Sequence, residues 1–376
     1  MILGCVNVIA DEMNPARVAA LRLGMGEAMT AFTVQINCGS GMQSIDTAYR
    51  YIQEGVSDLI LAGGAESLSH APLVFSRSAV NWYAQLFGAR DIWSRLAAFL
   101  KFRPSLFKPV IGLERGLTDP ITNLNMGQTA ELVAHLFQVS RRQADEYAAE
   151  SQQRLARAQR EGAFKNEVEP AFARDGTVYD HDDGVRPDSS ADNLAKLKPA
   201  FERPWGKVTP GNSSQITDGA SWVILASEDA VKKHKLTPRA VIVDSQWSAL
   251  DPSIMGLGPV FCSTALLRRH QLSLGDIELW ELNEAFAAQV LGCLAAWEDA
   301  EFCREVLGLD GAAGAIPRDR LNVDGGAIGT GHPVGASGNR IVLHLVNAMK
   351  RLGLKRGIAT ECIGGGQGGA MLIETV

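Results

Sequence analysis

The chain has 376 residues, 46% hydrophobic and 21% charged, with a formal net charge of −6. That composition excludes a disordered polypeptide, and the acidic balance argues against a general nucleic-acid binder. No apolar run reaches the roughly 18 residues of a membrane span, Met1–Met13 does not read as a signal peptide, and the six cysteines form no Cys-x-x-Cys pair, so a cytoplasmic protein with reduced thiols is expected.

The chain opens with a buried strand over Met1–Asn7. Phe32, Val34 and Ile36 alternate with polar residues, which predicts a second strand. Gly39-Ser40-Gly41 then breaks it, and Met42, Ile45, Tyr49 and Ile52 follow at helical spacing. Asp58–Ala62 is a short apolar strand, expected to end at Gly63-Gly64. Strand, turn, helix and strand make a βαβ unit, hence a parallel sheet. Residues 68–216 carry long polar helices and few strand signals. Ser140 and Gln143 make a capping box ahead of a face of Ala144, Tyr147, Ala148, Ser151 and Leu155. This stretch reads as an inserted domain. Strands are expected again over Ser221–Ala226, Ala240–Ser245 and Ile277–Leu282, with helices over Ala285–Leu294 and Arg340–Leu352. Gly357–Cys362 and Gly369–Glu374 close the chain as a strand and its hairpin partner. The end of the chain echoes its start: a small-Ser-Gly turn, a helix, a strand and a glycine pair recur, as Gly39–Gly64 and as Ala336–Gly366. Two halves of similar topology are the expectation.

Three residues at such corners carry the chemistry. Cys38 precedes a helix start, where the positive end of the helix dipole is expected to lower a thiol's pKa. The competing reading is a structural core cysteine. His332 lies in a glycine-rich loop before a helix and can take a proton from a neighbouring thiol. Cys362 ends a strand ahead of Gly364-Gly365-Gly366, whose N–H groups can form an oxyanion hole. Cys38 would be acylated, and Cys362 would exchange a proton with the second substrate. Asn283 either caps a helix or holds a water or a substrate carbonyl. Asp180-His181-Asp182-Asp183 reads as a solvated loop, because four adjacent residues converge poorly on one ion; no metal is expected.

The segments Asn37–Gly41, Gly63–Ser67, Gly211–Ser214, Asn283–Ala287, Gly331–Pro333 and Cys362–Gly366 together resemble the signatures of the thiolase family, in the family's order and across essentially the whole chain. The resemblance implies an α/β thiolase fold: two similar αβαβα-layered domains (1–67 plus 217–237, and 238–376) with a CoA-binding loop domain at 68–216. It implies that Cys38 carries the acyl group and that His332 activates it. Asn283 would hold a water in one oxyanion hole, and the N–H groups of Cys38 and Gly364 would form the other. Cys362 would be the general acid/base. Ser214, Met126 and Phe286 match positions lining the pantetheine tunnel, and Met255 matches one near the acyl pocket. Coenzyme A is then a substrate and no cofactor is expected.

The chain also departs from the family's pattern. Members open with a further strand and helix, so a strand-helix unit is expected to be missing, with its strand at the centre of the first sheet. Ala295–Arg320 reads as an insertion. Residues 81–110 hold seven aromatic and five basic residues against one acid. Both extra segments resemble the thiolase subunit of β-oxidation trifunctional complexes. For 81–110 this implies contact with a β-oxidation α-subunit or peripheral contact with a membrane; a lid over the acyl pocket is the plainer alternative. The expected activity is 3-ketoacyl-CoA thiolysis in fatty acid β-oxidation by a homodimer or homotetramer. Acetoacetyl-CoA formation by condensation is the alternative. A decarboxylating ketoacyl synthase and a non-catalytic thiolase-like lipid carrier are the rival classes.

Overall fold

A computed structural model describes all residues, Met1–Val376. In chain order the principal elements are β1 (Ile2–Gly4), α1 (Pro15–Arg22), β2 (Phe32–Val34), α2 (Ser40–Gln53) and β3 (Leu59–Ser67). The middle of the chain is helical: α3 (Arg77–Gly88), α4 (Ile92–Leu100), α5 (Met126–Leu136) and α6 (Arg141–Arg160), with one small ribbon flanking α3 and α4 and a second after α6. Then come β4 (Asp218–Ala226), β5 (Ala240–Ala249), α7 (Gly258–Arg269), β6 (Leu279–Leu282), α8 (Ala287–Glu298), α9 (Val334–Leu352), β7 (Arg356–Ile363) and β8 (Gln367–Thr375). The capping box of Ser140 and Gln143 starts α6, and the face predicted behind it is buried.

The strands form two sheets, ordered β2-β1-β3-β4 and β6-β7-β8-β5. Each contains a parallel pair (β1 with β3, β6 with β7) followed by an antiparallel one (β3 with β4, β7 with β8). A parallel bridge from Leu321 to Trp280 sits beside β6 as β2 sits beside β1. The internal echo is therefore topological. The halves differ at one edge: β8 pairs with β5, whereas β4 pairs only with β3. The expected gap at the centre of the first sheet is not there, because β1 hydrogen-bonds to β2 on one side and β3 on the other. The sheet's open side is the outer edge of β4, where Ile224 is exposed.

Helices α2 and α9 pack against each other between the sheets, and the apolar core around them draws Met42, Ile45, Ile341 and Leu345 into one cluster with Ile2, Leu279 and Met371. Glycine makes this approach possible. A Cβ at Gly64 would lie 2.2 Å from the Gly335 carbonyl, and one at Gly41 would lie 2.7 Å from the Asn339 nitrogen. Gly63 and Gly64 were expected to end β3, yet the strand runs on to Ser67. Their role is clearance: Gly63 accommodates the Trp222 ring and Gly64 the first turn of α9. The second glycine cluster does turn the chain, with Gly365 and Gly366 at φ of 91° and 79° between β7 and β8.

Candidate active site

The contact between α2 and α9 brings two helix N-termini to one place. Cys38 lies just before α2, after a bridge between Ile36 and Cys38, and His332 lies just before α9. Cys362 sits near the end of β7, where the strand runs into the glycine turn. Asn37 Nδ2 donates to the Gly364 carbonyl at 2.7 Å, tying the Cys38 loop to that turn. Cys38 is half-buried, whereas His332 and Cys362 are buried.

Electrostatics around Cys38 run against the sequence expectation. Burial pushes its thiol up to about 11, and the Gly364 N–H directed at the sulfur only partly offsets this. Loss of water is the largest cause here. Burial, with the neighbouring Cys38 second, holds Cys362 well above the ordinary thiol range. Both thiols are thus neutral at pH 7, and either needs a base to become nucleophilic.

The imidazole of His332 has the chemistry of such a base. Its backbone N–H donates to the Gln215 carbonyl at 2.9 Å, and Nδ1 lies 2.6 Å from Ser337 Oγ. The Ser337 hydroxyl can donate to the Pro333 carbonyl at 3.2 Å. With that proton spent, Ser337 accepts from Nδ1–H, which leaves Nε2 the unprotonated nitrogen. Burial, then the Arg340 charge, lowers the imidazole to about 3, so it is neutral at pH 7. This has a sign in stability. Unfolding returns the histidine to about 6.5, so the unfolded chain takes up the extra proton and stability is lost as pH falls below that value. The loss between pH 7 and pH 5 is about 2 kcal/mol. Urea unfolding of the parent and of His332→Asn at both pH values checks it: the variant should lose about that much less on acidification.

The remaining residues complete the pocket. Asn283 Nδ2 stands 3.5 Å from both ring nitrogens of His332, and its buried Oδ1 has no protein partner. That oxygen is free to accept from a water or a ligand. Met255, Ala285 and Cys362 form one apolar cluster, with Met126 and Phe286 packed on it. A Cβ at Gly364 would lie 3.4 Å from Met126 Sδ. Ser214 contributes its backbone, its N–H donating to Ala285 at 3.0 Å.

Two carboxylates inside the recognised motifs passed without comment in the sequence. Glu66 accepts from the backbone N–H groups of Val6, Asn7 and Gly335 at 3.1, 2.9 and 3.0 Å, fixing the first turn of α9 to the end of β3. Glu284 turns away from Asn283 and accepts from Tyr147, Ser151 and Asn322 at 2.8, 2.6 and 3.0 Å, and from the Ile328 N–H at 3.3 Å. It therefore holds α6 to the loop that leads into His332. An acid within each motif was the available signal. Next to Cys362 in the chain, burial raises the Glu361 carboxyl well above the carboxylate range.

Comparison with known proteins gives a consistent picture. Residues 1–229 match the family described as "Thiolase, N-terminal domain", and residues 236–375 match "Thiolase, C-terminal domain". A β-ketoadipyl-CoA thiolase of Pseudomonas aeruginosa is 40% identical over 380 residues, covering 100% of this chain and 87% of that protein. A probable acetyl-CoA acyltransferase of Staphylococcus epidermidis is 37% identical over 378 residues, covering 100% of this chain and 86% of its own. Among solved structures, the Bacillus anthracis acetyl-CoA acetyltransferase superposes with a TM-score of 0.84 at 35% identity. Human mitochondrial 3-ketoacyl-CoA thiolase in complex with CoA gives 0.83 at 37%. Each covers 100% of this chain and 86% of the other.

Proposed function

The chain belongs to the thiolase family and is an acyltransferase, and from that premise we propose that it cleaves 3-ketoacyl-CoA with CoA, giving acetyl-CoA and a shortened acyl-CoA. One observation carries the proposal: a half-buried thiol close enough to a buried one to raise its titration, beside a glycine N–H directed at the first sulfur. Two sulfurs suit a reaction whose second substrate is itself a thiol.

In this reading His332 Nε2 takes the Cys38 proton and the thiolate attacks the C3 carbonyl. The oxyanion is met by His332, once protonated, together with a water on Asn283. The C2–C3 bond breaks, its electron pair passes to acetyl-CoA as an enolate, and the Cys362 thiol protonates it. CoA then gives its proton to the Cys362 thiolate and attacks the acyl group on Cys38, with the N–H groups of Cys38 and Gly364 holding the second oxyanion. Cys38 leaves and recovers its proton from His332. Ser214, Met126 and Phe286 line the pantetheine path, and Met255 faces the acyl group. The same groups run backwards as a Claisen condensation.

The domains of this reading are 1–67 plus 217–237, 68–216 and 238–376. Its partners are CoA and acyl-CoA, further copies in a homodimer or homotetramer, and a β-oxidation α-subunit or a membrane met through 81–110. The test is CoA-dependent thiolysis across a ladder of 3-ketoacyl-CoA lengths, with mass spectrometry after incubation with acetyl-CoA. One acetyl group on Cys38 and chain shortening by two carbons are expected. An unmodified Cys38 with no turnover of any length would leave the carrier reading.

A further inference from the structure

Asp180–Asp183 has the exposed residues expected of a solvated loop, yet the chain that follows is built into the loop carrying His332. Gln159 of α6 donates to the Asp182 carbonyl at 2.9 Å, and Gln152 of the same helix accepts from the Arg186 N–H at 2.8 Å. Between these two anchors Gly184 comes so close that a Cβ on it would stand 2.4 Å from the Gly329 carbonyl oxygen. Gln215 joins the two segments. Its side chain donates to the Gly184 carbonyl at 3.0 Å, and its own carbonyl accepts from the His332 N–H at 2.9 Å. A second hold comes from the opposite side. Arg340, in the second turn of α9, reaches back toward the helix N-terminus, and its Nη2 donates to the Gly331 carbonyl at 2.9 Å. That is the only hydrogen bond its side chain makes to the protein. Gly331 has a φ of 83°, and a Cβ there would lie 2.2 Å from Thr217 Oγ1, so this carbonyl is presented by a backbone that only glycine can supply. Among the acids around Arg340, Asp182 acts on its charge most, ahead of Glu281, Glu284 and Glu361. The turn and the guanidinium therefore meet on one short stretch of chain.

We propose that Arg340 is a positioning residue for His332: it fixes the Gly331–His332 peptide from the side of α9, while the turn Asp182–Arg186 fixes the same loop from the side of the inserted segment. The inference rests on the reading of His332 as the base for Cys38. Ser337 decides how the imidazole is turned, whereas these two holds decide where its backbone stands. A base works only within hydrogen-bond reach of its proton, so a loop free to drift would lose the proton transfer without losing the binding of substrate. The guanidinium charge has a second consequence. It opposes a charge on the ring, so the proton that His332 takes is one it readily gives back.

Three variants of the full chain test this: Arg340→Met, Arg340→Lys and Gly184→Ala. Arg340→Met keeps an unbranched apolar stem and loses both the hydrogen bond and the charge. Its kcat for 3-ketoacyl-CoA thiolysis should fall about 10²-fold, the cost of a misplaced catalytic group, with KM unchanged. Arg340→Lys should recover most of that rate, because a single hydrogen bond to one carbonyl is within a lysine's means. Gly184→Ala pushes the turn off Gly329 and should lower kcat, again at constant KM. Alkylation of Cys38 by iodoacetamide is the second readout, since it draws on the same base but on no thiolase substrate; it should slow in Arg340→Met and in Gly184→Ala. Parental kcat in either of those variants overturns the proposal, as does a rise in KM at constant kcat, or a folded Arg340→Lys no faster than Arg340→Met. If Arg340→Met does not fold, Gly184→Ala decides alone. If the parent cleaves no 3-ketoacyl-CoA, the substrate reading falls, and alkylation still answers: slowed in the variants it keeps the positioning role, unchanged it removes that role too.

Discussion

Cys362→Ala will leave Cys38 open to acylation by acetyl-CoA while 3-ketoacyl-CoA thiolysis falls by about 10²–10⁴-fold, the usual contribution of a positioned acid or base. The reason lies in the leaving groups. Acylation from acetyl-CoA expels a CoA thiolate, which is stable enough to depart without a proton. Thiolysis expels a carbon, and the enolate needs the proton that burial keeps on the Cys362 sulfur. Exchange of the acetyl-CoA methyl protons with deuterated solvent should vanish in the same variant. Cys38→Ala gives the complementary pattern, with no covalent acetyl group at all. Mass spectrometry of the protein, set beside proton exchange followed by NMR, separates the two thiols. If Cys362→Ala kept full thiolysis, the acid/base assignment would be lost although the acyl-enzyme survived.

The largest effect on stability is expected at Glu284. Glu284→Ala leaves Tyr147 Oη, Ser151 Oγ and Asn322 Nδ2 without the carboxylate that joins them, in a buried setting. A buried donor deprived of its acceptor costs about 1–3 kcal/mol, and donors sharing one partner do not add fully, so a loss of about 4 kcal/mol is expected. The Ile328 N–H also loses its acceptor, and that residue lies in the first turn of the short helix before His332. Activity should therefore drop along with stability, although Glu284 lies on the far side of Asn283. Urea unfolding followed by tryptophan fluorescence measures the first effect, and thiolysis at a temperature where the variant is folded measures the second. Glu284→Gln keeps one acceptor oxygen and should fall between the two. A change below about 1 kcal/mol for the alanine variant would mean that water replaces the carboxylate at no cost.

Much of the fold was legible because periodicity reports burial directly. The faces of α2, α6 and α9 and the strands of the second sheet follow the pattern of apolar residues, and the recurrence of a small-Ser-Gly turn before each central helix announces two related halves. What escaped depends on neighbours distant in sequence. Gly63 and Gly64 look locally like a strand end, and only Trp222 and Gly335, brought in from elsewhere, explain why glycine sits inside a continuing strand. The Cys38 titration went the wrong way because a helix start is visible in sequence and a dry pocket is not. Glu66 and Glu284 were quoted within motifs, yet their partners lie on other elements, at separations that no local spacing reveals. The position of the open sheet edge likewise required knowing which strand stands beside β4.

In the proposed reaction, the burial of His332 and Cys362, with Cys38 alone partly reachable, bears on what would become of an acyl group on Cys38. Thioesters hold group-transfer potential that any stray hydroxide can dissipate as free acid. A centre lined by Met126, Met255 and Phe286 offers such an attacker little foothold, whereas a thiol arriving on a long flexible arm brings its own nucleophile into the dry space. Economy of energy between successive carriers is thus a property of how the two halves close over each other, and leakage to hydrolysis is the quantity by which any loosening of that closure would first be noticed.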